Sequence, residues 1–283
     1  MWNARTDVAW DTPVDPEAEN TPDEMLGIHG TPFWDKLDKK TELPKLRRLS
    51  TAYTFSNFLH GEQGALLATS QILSAVPDTD AKFYAATQVM DEARHVEVYD
   101  RYLRDKIGTT FPISAPLRAL LDQILTEPRW DMKYLGMQIM VEGLALASFG
   151  YIQQYSAEPL IKQIVRLVMQ DEARHVAFGV LSLKGIYTDM SEAELRDRED
   201  FIIEASRLMR DRFLFEEVWE CMGMPVKECL AAVMESEMMK VFRVMLFSKI
   251  VPNVKRLGLL TPRVRRAFEE LNVIHFESWE ATA

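Results

Sequence analysis

Two stretches, DEARHVEVY at residues 91–99 and DEARHVAFG at residues 171–179, begin with the same five residues. The two copies of Asp-Glu-Ala-Arg-His lie 80 positions apart (171 − 91). Each copy places a glutamate three residues before a histidine, and residues three apart share one face of an α-helix. The repeat therefore predicts two helices that each present a carboxylate and an imidazole on one face.

A second pair of acidic residues follows the same offset of 80. Glu62 precedes Glu92 by 30 residues (92 − 62), and Glu142 precedes Glu172 by 30 (172 − 142). The surrounding sequences are also similar, GEQGALLATS at 61–70 and VEGLALASF at 141–149. In ferritin-like di-iron proteins two helices carry Glu-x-x-His and two others carry one glutamate each. The pattern predicts two helical hairpins that bind two metal ions through Glu62, Glu92, His95, Glu142, Glu172 and His175.

The chemistry of these six side chains indicates which metal they bind. Four carboxylates neutralise the four positive charges of two divalent ions. Carboxylate and imidazole suit iron and manganese, and the lack of thiolate argues against a soft metal. We therefore expect two iron ions, with an Mn/Fe pair as the alternative.

The residues beside the glutamates are expected to support the ligands. Asp91 and Asp171 are placed to accept the free ring N–H of the histidine in the opposite motif, a contact that orients metal-binding imidazoles. Arg94 and Arg174 are expected to pair with these aspartates. One Glu-x-x-His on a helix is weak evidence for a metal site. A short run of acidic and basic residues usually lies on a solvent-exposed face of a helix. The shared offset of both pairs is what favours a metal site.

Charge and cysteine content exclude several classes of protein. The net charge is −10, with 43 acidic and 33 basic residues, which argues against binding to nucleic acid. Cys221 and Cys229 predict neither a zinc ribbon nor a disulfide framework. The N-terminal residues lack a positive segment followed by an apolar one, so we expect no signal peptide and a cytoplasmic location.

One apolar segment needs a separate interpretation. Residues 134–152 contain only two strongly polar side chains, Gln138 and Glu142. The length approaches that of a membrane span, but a glutamate at the centre of a span is costly in lipid. A helix that is apolar on all sides is also typical of the centre of a bundle. We therefore expect a buried bundle helix and no membrane span.

The periodicity is helical over most of the chain and strand signals are nearly absent, which predicts an all-α fold. Residues 1–42 are expected to form an extended arm, anchored by Trp10, Phe33 and Trp34. Residues 43–283 are expected to form one helical di-iron domain, with a metal-binding bundle over about 45–187 and extra C-terminal helices over 191–271. Helices are predicted, within roughly two to four residues, at 45–75, 79–106, 115–125, 128–155, 159–186, 191–221, 225–250 and 262–271.

Over about residues 45–250 the chain resembles the ferritin-like di-iron carboxylate superfamily. Roughly a hundred residues follow the second motif, and this size resembles the oxidases and oxygenases that are similar to ribonucleotide reductase small subunits, including the p-aminobenzoate N-oxygenase-like group. The resemblance implies a ferritin-like four-helix bundle with additional helices. It also implies reductive activation of O2, an external electron donor, a homodimer and oxidation of a small, largely apolar organic substrate. Hydroxylation, desaturation, amine oxidation and C–C cleavage remain open.

Four positions refine this resemblance. The N-oxygenase group has a third histidine four residues before the second Glu-x-x-His, where this chain has Val168. The Val–Tyr crosslink of the ligand-binding oxidases falls at Ala65 and Met137, so no crosslink is expected. Tyr99 matches the radical tyrosine of the reductase subunits and is the candidate catalytic residue, although a packed core tyrosine is the simpler interpretation.

Two other functions use the same ligands. A ferroxidase or iron-storage protein would form a cage, which the long C-terminal region argues against. A radical-generating subunit of the reductase type would need a partner-binding tail with a redox tyrosine. The C-terminal sequence HFESWEATA at 275–283 contains Trp279 and no tyrosine.

Overall fold

Two helical hairpins form the centre of the structure, a computed structural model that describes residues 1–281. Every regular element within these residues is helical, which confirms the predicted all-α fold. In chain order the α-helices are α1 (Pro32–Lys36), α2 (Glu42–Ala75), α3 (Thr79–Tyr102), α4 (Ala115–Thr126), α5 (Trp130–Tyr134), α6 (Glu142–Tyr155), α7 (Pro159–Leu183), α8 (Glu192–Arg210), α9 (Glu216–Cys221), α10 (Val226–Glu235), α11 (Glu237–Met245), α12 (Ile250–Arg256) and α13 (Pro262–Glu270).

The four-helix bundle is assembled from the two hairpins. Helices α2 and α3 pack along each other, α6 packs along α7, and α3 packs against α7. A π-helical segment, Leu135–Val141, joins α5 to α6 without a break. Helix α2 has 34 residues and spans about 51 Å at 1.5 Å per residue. The bundle therefore brings the two repeats of the sequence face to face.

Local sequence signals start three helices, α3, α7 and α8, close to where they were predicted. Asp78 caps α3 by accepting a hydrogen bond from the backbone N–H of Ala81. The Glu158 carboxylate caps α7, with Pro159 in the first turn. Ser191 and Glu194 form a capping box at the start of α8. Each cap satisfies backbone N–H groups that lack a partner within the helix.

The apolar segment lies inside the bundle. The continuous helix Trp130–Tyr155 is long and apolar enough to cross a membrane by length and composition, yet 72% of its most apolar window is buried within the protein. Leu135, Ile139, Leu144 and Phe149 are fully buried. These contacts are those of a core helix.

The prediction of two long C-terminal helices is wrong. The helix expected at 191–221 ends at Arg210, and Phe215 has a left-handed φ of 60° that no α-helix continues through. The helix expected at 225–250 breaks at Ser236, whose hydroxyl caps α11. The Arg243 guanidinium donates hydrogen bonds to the carbonyls of Val233 and Met234 at the end of α10. Capping by side chains thus divides into two helices a segment whose hydrophobic periodicity predicts one continuous helix.

The N-terminal arm is partly helical and packs on the bundle. It contains a 3₁₀ turn, Asp23–Leu26, and the short helix α1. Trp10 is buried, and the Arg101 guanidinium lies 4.2 Å from its ring centroid. Phe33 and Trp34 are partly buried against the core. The division of the chain at residue 42 remains a prediction.

Position 179 explains why the two repeats differ after their shared motif. It is the counterpart of Tyr99 in the first repeat (99 + 80), but the second repeat has Gly179. A Cβ at residue 179 would lie 2.4 Å from the Cβ of Gln138 in the π-helical segment. Glycine is therefore needed for α7 to approach this segment closely.

We expect Gly179→Ala to destabilise the metal-free protein by about 1–3 kcal/mol, because the added methyl group overpacks the contact with Gln138. Gly150→Ala is the matched control, since that helical glycine has no atom within 4 Å of the new Cβ. The control should be neutral or more stable by up to about 1 kcal/mol through helix propensity. Urea unfolding followed by circular dichroism measures both, and a Gly179→Ala protein as stable as Gly150→Ala would contradict the steric argument.

Candidate metal centre

The structure brings all six predicted ligands together in the core of the bundle. Helix α2 contributes Glu62, α3 contributes Glu92 and His95, and α7 contributes Glu172 and His175. Glu142 is the first residue of α6, directly after the π-helical segment. Each of the six side chains is at least 94% buried, since the most exposed of them, Glu62, has 6% of its surface accessible.

The six residues form two overlapping groups of potential ligands. The first group is Glu62, Glu92, His95 and Glu172, and the second is Glu92, Glu142, Glu172 and His175. Within each group, one ligand atom from every residue lies within 4.8 Å of all the others. Bonds of about 2.1 Å to a central cation would place opposite ligand atoms about 4.2 Å apart. Both groups therefore fit a cation, with Glu92 and Glu172 shared between the two positions.

The two histidines direct the same ring atom towards the shared carboxylates. His95 Nδ1 lies 3.3 Å from Glu62 Oε2, 3.5 Å from Glu92 Oε2 and 3.0 Å from Glu172 Oε1. His175 Nδ1 lies 3.3 Å from both Glu92 Oε1 and Glu172 Oε2. Their arrangement around Glu92 and Glu172 reproduces the twofold repeat of the sequence.

The protein atoms alone do not satisfy this cluster. Glu92 Oε2, Glu142 Oε2 and His95 Nδ1 are buried without a hydrogen-bond partner. Burial, followed by the charge of Glu172, raises the pKa of Glu62 to about 8 and that of Glu142 well above its usual range. Buried carboxylates at this separation cannot all ionise unless cations neutralise them. The donor set therefore fits two divalent metal ions.

Asp91 and Asp171 contact the back of the histidines. His95 Nε2 lies 3.2 Å from Asp171 Oδ2, and His175 Nε2 lies 3.2 Å from Asp91 Oδ2. Each aspartate thus contacts the histidine of the other motif. The two aspartates are bridged by Arg94 and Arg174, which both donate to both carboxylates. When the aspartates accept Nε2–H, Nδ1 of each ring is left with a free lone pair.

Trp2 reaches the same network from the N-terminal arm. Its indole N–H donates a hydrogen bond of 2.7 Å to Asp171 Oδ2, and its ring stacks 6.2 Å from the His95 ring. The Arg94 guanidinium lies 5.0 Å from the indole centroid. The sequence did not indicate this contact, because Trp2 lies outside the periodic part of the chain.

Two glutamines complete the polar contacts of the cluster. Gln88 Nε2 donates to Glu92 Oε1 at 3.0 Å and to Glu142 Oε1 at 2.9 Å. Gln138 Nε2 lies 3.5 Å from Gln88 Oε1. Gln88 is the counterpart of Val168 (88 + 80), and its position one turn before Glu92 is the signal that could have identified it. At this position, one turn before the glutamate, only the first repeat therefore has a polar residue.

Tyr99 lies in the core among aromatic rings. The ring centroids of Phe55, Phe58 and Phe149 are 6.0–6.1 Å from its own. Its hydroxyl is buried without a hydrogen-bond partner. Burial, followed by the charge of Glu62, raises the pKa of Tyr99 well above its usual range. A redox role for Tyr99 remains a prediction.

A small pocket lies beside three glutamates of the cluster, and a larger cavity shares one lining residue with it. A small one of about 20 Å³ is lined by Glu62, Glu142 and Glu172, together with Phe58 and Arg212. A larger one of about 110 Å³ is also lined by Phe58, and its other walls include Phe55, Phe213, Phe215, Ile152, Ile161 and Phe242, together with the charged side chains Arg47 and Glu158. Phe58 therefore lines both a pocket beside the candidate ligands and a mainly apolar cavity that a small molecule could occupy.

Two buried hydroxyl groups line the larger cavity. Ser50 Oγ and Ser148 Oγ have no hydrogen-bond partner. A cavity with apolar walls and a few unpaired polar groups is typical of a small-molecule site. The segment that follows α8 contributes Arg212 to the small pocket and Phe213 and Phe215 to the large cavity. These residues were missed because that segment was predicted to be regular helix.

The chain is similar to known proteins over most of its length. Residues 1–258 match the family described as P-aminobenzoate N-oxygenase AurF. None of the curated proteins compared with the chain matches it. A Synechococcus structure, protein 19 with aldehyde deformylating oxidase activity, is 17% identical with a TM-score of 0.54, over 79% of this chain and 97% of that one. This likeness supports the ferritin-like fold.

A second solved structure covers the whole chain. It is a variant of an R2-like ligand-binding oxidase with an aerobically reconstituted Mn/Fe cofactor. It is 16% identical with a TM-score of 0.46, and the match covers 100% of this chain and 90% of that one.

We expect Glu142→Ala to hold clearly fewer than two metal ions per chain, because it removes one carboxylate from the second group. Ser148→Ala, a buried substitution on the same helix, is the control and should keep two. Elemental analysis after anaerobic loading with Fe(II) and desalting measures both proteins. Two firmly bound ions in Glu142→Ala would contradict the ligand assignment.

Proposed function

The chain belongs to the P-aminobenzoate N-oxygenase AurF family, and from this membership we propose that it oxidises a small, largely apolar organic substrate at two iron ions. The chain is an O2-dependent oxidoreductase of the di-iron type. One observation carries the proposal: two buried groups of carboxylate and imidazole ligands share Glu92 and Glu172.

In this proposal the six side chains hold the metals and the neighbouring residues position them. When bound, the iron pair supplies the electrons that activate O2, and an external electron donor restores them. Asp91 and Asp171 accept the Nε2–H of the histidines, which fixes the ring orientation and directs Nδ1 to the metal positions. Gln88 restrains Glu92 and Glu142 with one amide group. The carboxylate and imidazole ligands suit both iron and manganese and argue against a soft metal, and the proposed pair is Fe/Fe, with Mn/Fe as the alternative.

The cavity beyond Phe58 is the proposed substrate site. Its volume of about 110 Å³ suits a single ring or a short chain, since a cavity of roughly 150 Å³ binds benzene. Its aromatic and aliphatic walls offer contact area to the apolar part of a substrate, and Arg47 and Glu158 also line the cavity. Amine oxidation is the reaction that the family description names. Hydroxylation, desaturation and C–C cleavage are the alternatives.

The proposed enzyme works as a cytoplasmic homodimer, which distinguishes it from an iron-storage cage. The many residues that follow α7, from α8 to α13, support this distinction because they add helices outside the four-helix bundle. Light scattering after size exclusion should give about twice the chain mass of 32.6 kDa. A large cage that accumulates iron without an organic substrate would instead support storage.

Anaerobic loading with Fe(II) followed by mixing with O2 tests the proposed activity. We expect O2 to be consumed in a limited amount set by the bound iron, and an aromatic amine that fits the cavity to yield an oxidised product. The same experiment with one equivalent each of Mn(II) and Fe(II) identifies the preferred pair. Continued oxidation and mineralisation of excess iron would contradict the proposal in favour of ferroxidase function.

Tyr99→Phe tests whether Tyr99 is redox-active. If it is, electron paramagnetic resonance after O2 addition should show a tyrosyl radical in the wild type and none in Tyr99→Phe, with iron content unchanged. Tyr84→Phe is the control, because Tyr84 stacks on Phe178 with ring centroids 3.9 Å apart. Tyr84 is not among the aromatic rings that surround Tyr99. The absence of any radical in the wild type would leave Tyr99 a packing residue.

A further inference from the structure

The N-terminal strap, residues 17–26, covers one end of the larger cavity. Five of its residues form part of the cavity wall, Ala18, Asn20, Thr21, Met25 and Leu26. Helix α2 also lines the cavity from Arg47 to Phe58, a distance of about 16 Å along the helix axis. Phe58 lines the pocket beside the candidate ligands as well. The strap, which contacts Arg47, therefore covers the end of the cavity that is remote from the metal positions.

Little buried surface holds the strap on the protein. No side chain in residues 11–25 is buried, whereas Trp10 and Leu26, which flank this region, are buried. Gly27 follows with a left-handed φ of 72°, and a Cβ there would lie 2.8 Å from Val233 Cγ2. Both ends of the region are therefore anchored, and the chain between them lies on the surface. Segments with few buried apolar contacts open locally at a lower free energy than the core does.

Polar contacts hold the strap to the bundle. Arg47 Nε and Nη2 donate to the two carboxylate oxygens of Asp23, both at 2.8 Å. These two side chains are 19% and 14% exposed, and Glu19 Oε2 lies 3.3 Å from the same guanidinium. The backbone N–H of Ala157 donates to the Asn20 carbonyl at 2.8 Å. Because the Arg47–Asp23 pair is bidentate and partly buried, it is stronger than an ordinary surface ion pair.

The other walls of the cavity belong to the packed core. They come mainly from helices α2, α6, α7 and α11 and from the segment after α8. Their aromatic side chains Phe55, Phe58 and Phe213 are at most 5% exposed. Separating these helices would expose apolar surface to water, which opposes opening. The strap is therefore the wall of the cavity that opens at the lowest free energy.

We propose that the N-terminal strap is a lid over the substrate site, and that the Arg47–Asp23 ion pair holds it closed. The inference rests on the proposed function, because the cavity that the strap covers is the proposed substrate site. It deepens that function by assigning the route of entry and the interaction that controls it. The ion pair stabilises the closed strap with or without a ligand. Its loss therefore speeds entry and exit together and leaves the affinity unchanged.

Exchange of fluorobenzene, measured by ¹⁹F NMR relaxation dispersion, tests this assignment. The full chain is loaded with Zn(II), a diamagnetic ion that accepts carboxylate and imidazole ligands. Asp23→Asn removes the charge of Asp23, which is not among the described residues that line the cavity. We expect the association and dissociation rate constants to rise about 3–10-fold in this variant, with the dissociation constant unchanged within about twofold. Added NaCl should raise both rate constants in the wild type and have less effect in Asp23→Asn.

Glu24→Gln is the matched control, because Glu24 lies in the same turn, is exposed and forms no ion pair within residues 1–281. It should exchange fluorobenzene at the wild-type rates. Asp23→Glu keeps the carboxylate and should stay closer to the wild type than Asp23→Asn does. Wild-type rates in Asp23→Asn would overturn the assignment. Faster dissociation with unchanged association would also overturn it, because the strap would then be a fixed part of the wall.

Hydrogen exchange follows the strap itself in the iron-loaded protein. The backbone amides of residues 17–26 should exchange about 3–10-fold faster in Asp23→Asn than in the wild type, because the open strap is populated more often. The amides of α2 should keep the wild-type rate. Equal exchange of the strap amides in both proteins would contradict opening controlled by this ion pair.

Iron content and fluorobenzene binding separate this inference from the proposed function. Asp23→Asn should bind two iron ions and consume O2 as the wild type does. If the wild type does both and binds fluorobenzene, but the variant exchanges it at the wild-type rates, only the inference about the strap fails. If the wild type does not bind fluorobenzene, the proposed substrate site fails first, and the strap then has no site to cover.

Discussion

Four carboxylates converge in the core of this bundle, and their mutual repulsion is the constraint on which the rest of the site depends. Glu62, Glu92, Glu142 and Glu172 come from four different helices. Their convergence would oppose folding if all four were ionised without cations. Two divalent ions bound among them would turn this repulsion into a crosslink between the hairpins. Metal binding and packing of the bundle would then be coupled.

The aspartates behind the two histidines determine the orientation of the imidazole rings. Imidazole can bind a metal through either ring nitrogen, and the hydrogen bond at the other nitrogen decides which is used. Asp91 and Asp171 contact Nε2 across the repeat, so each motif positions the ligand of the other. Arg94 and Arg174 then neutralise both aspartates. The twofold repeat therefore persists beyond the ligands themselves.

The sequence predicted the candidate site best for the residues that belong to the twofold repeat. One offset relates Glu62 to Glu142 and His95 to His175, and the structure brings these residues together. The caps at Asp78 and Ser191 were also predictable, because short-range hydrogen bonds determine them. Gln88 could have been identified from its position one turn before Glu92, whereas Trp2 could not, because its contact with Asp171 spans 169 residues.

The two cavities near Phe58 could not be predicted from the sequence, because segments that do not follow the twofold repeat form part of their walls. The π-helical segment before Glu142 and the break after α8 interrupt patterns that read as continuous helix. At this break Arg212 lines the small pocket beside the candidate ligands and Phe213 lines the larger cavity, and Phe58 lines both. Such breaks arise from tertiary packing, which helical periodicity does not encode.

Anomalous X-ray diffraction at the iron edge, from crystals of the Fe(II)-loaded protein, locates the bound metals. We expect two peaks per chain, one bounded by Glu62 and His95 and the other by Glu142 and His175, with Glu92 and Glu172 between them. A single peak, or peaks outside this cluster, would contradict this expectation.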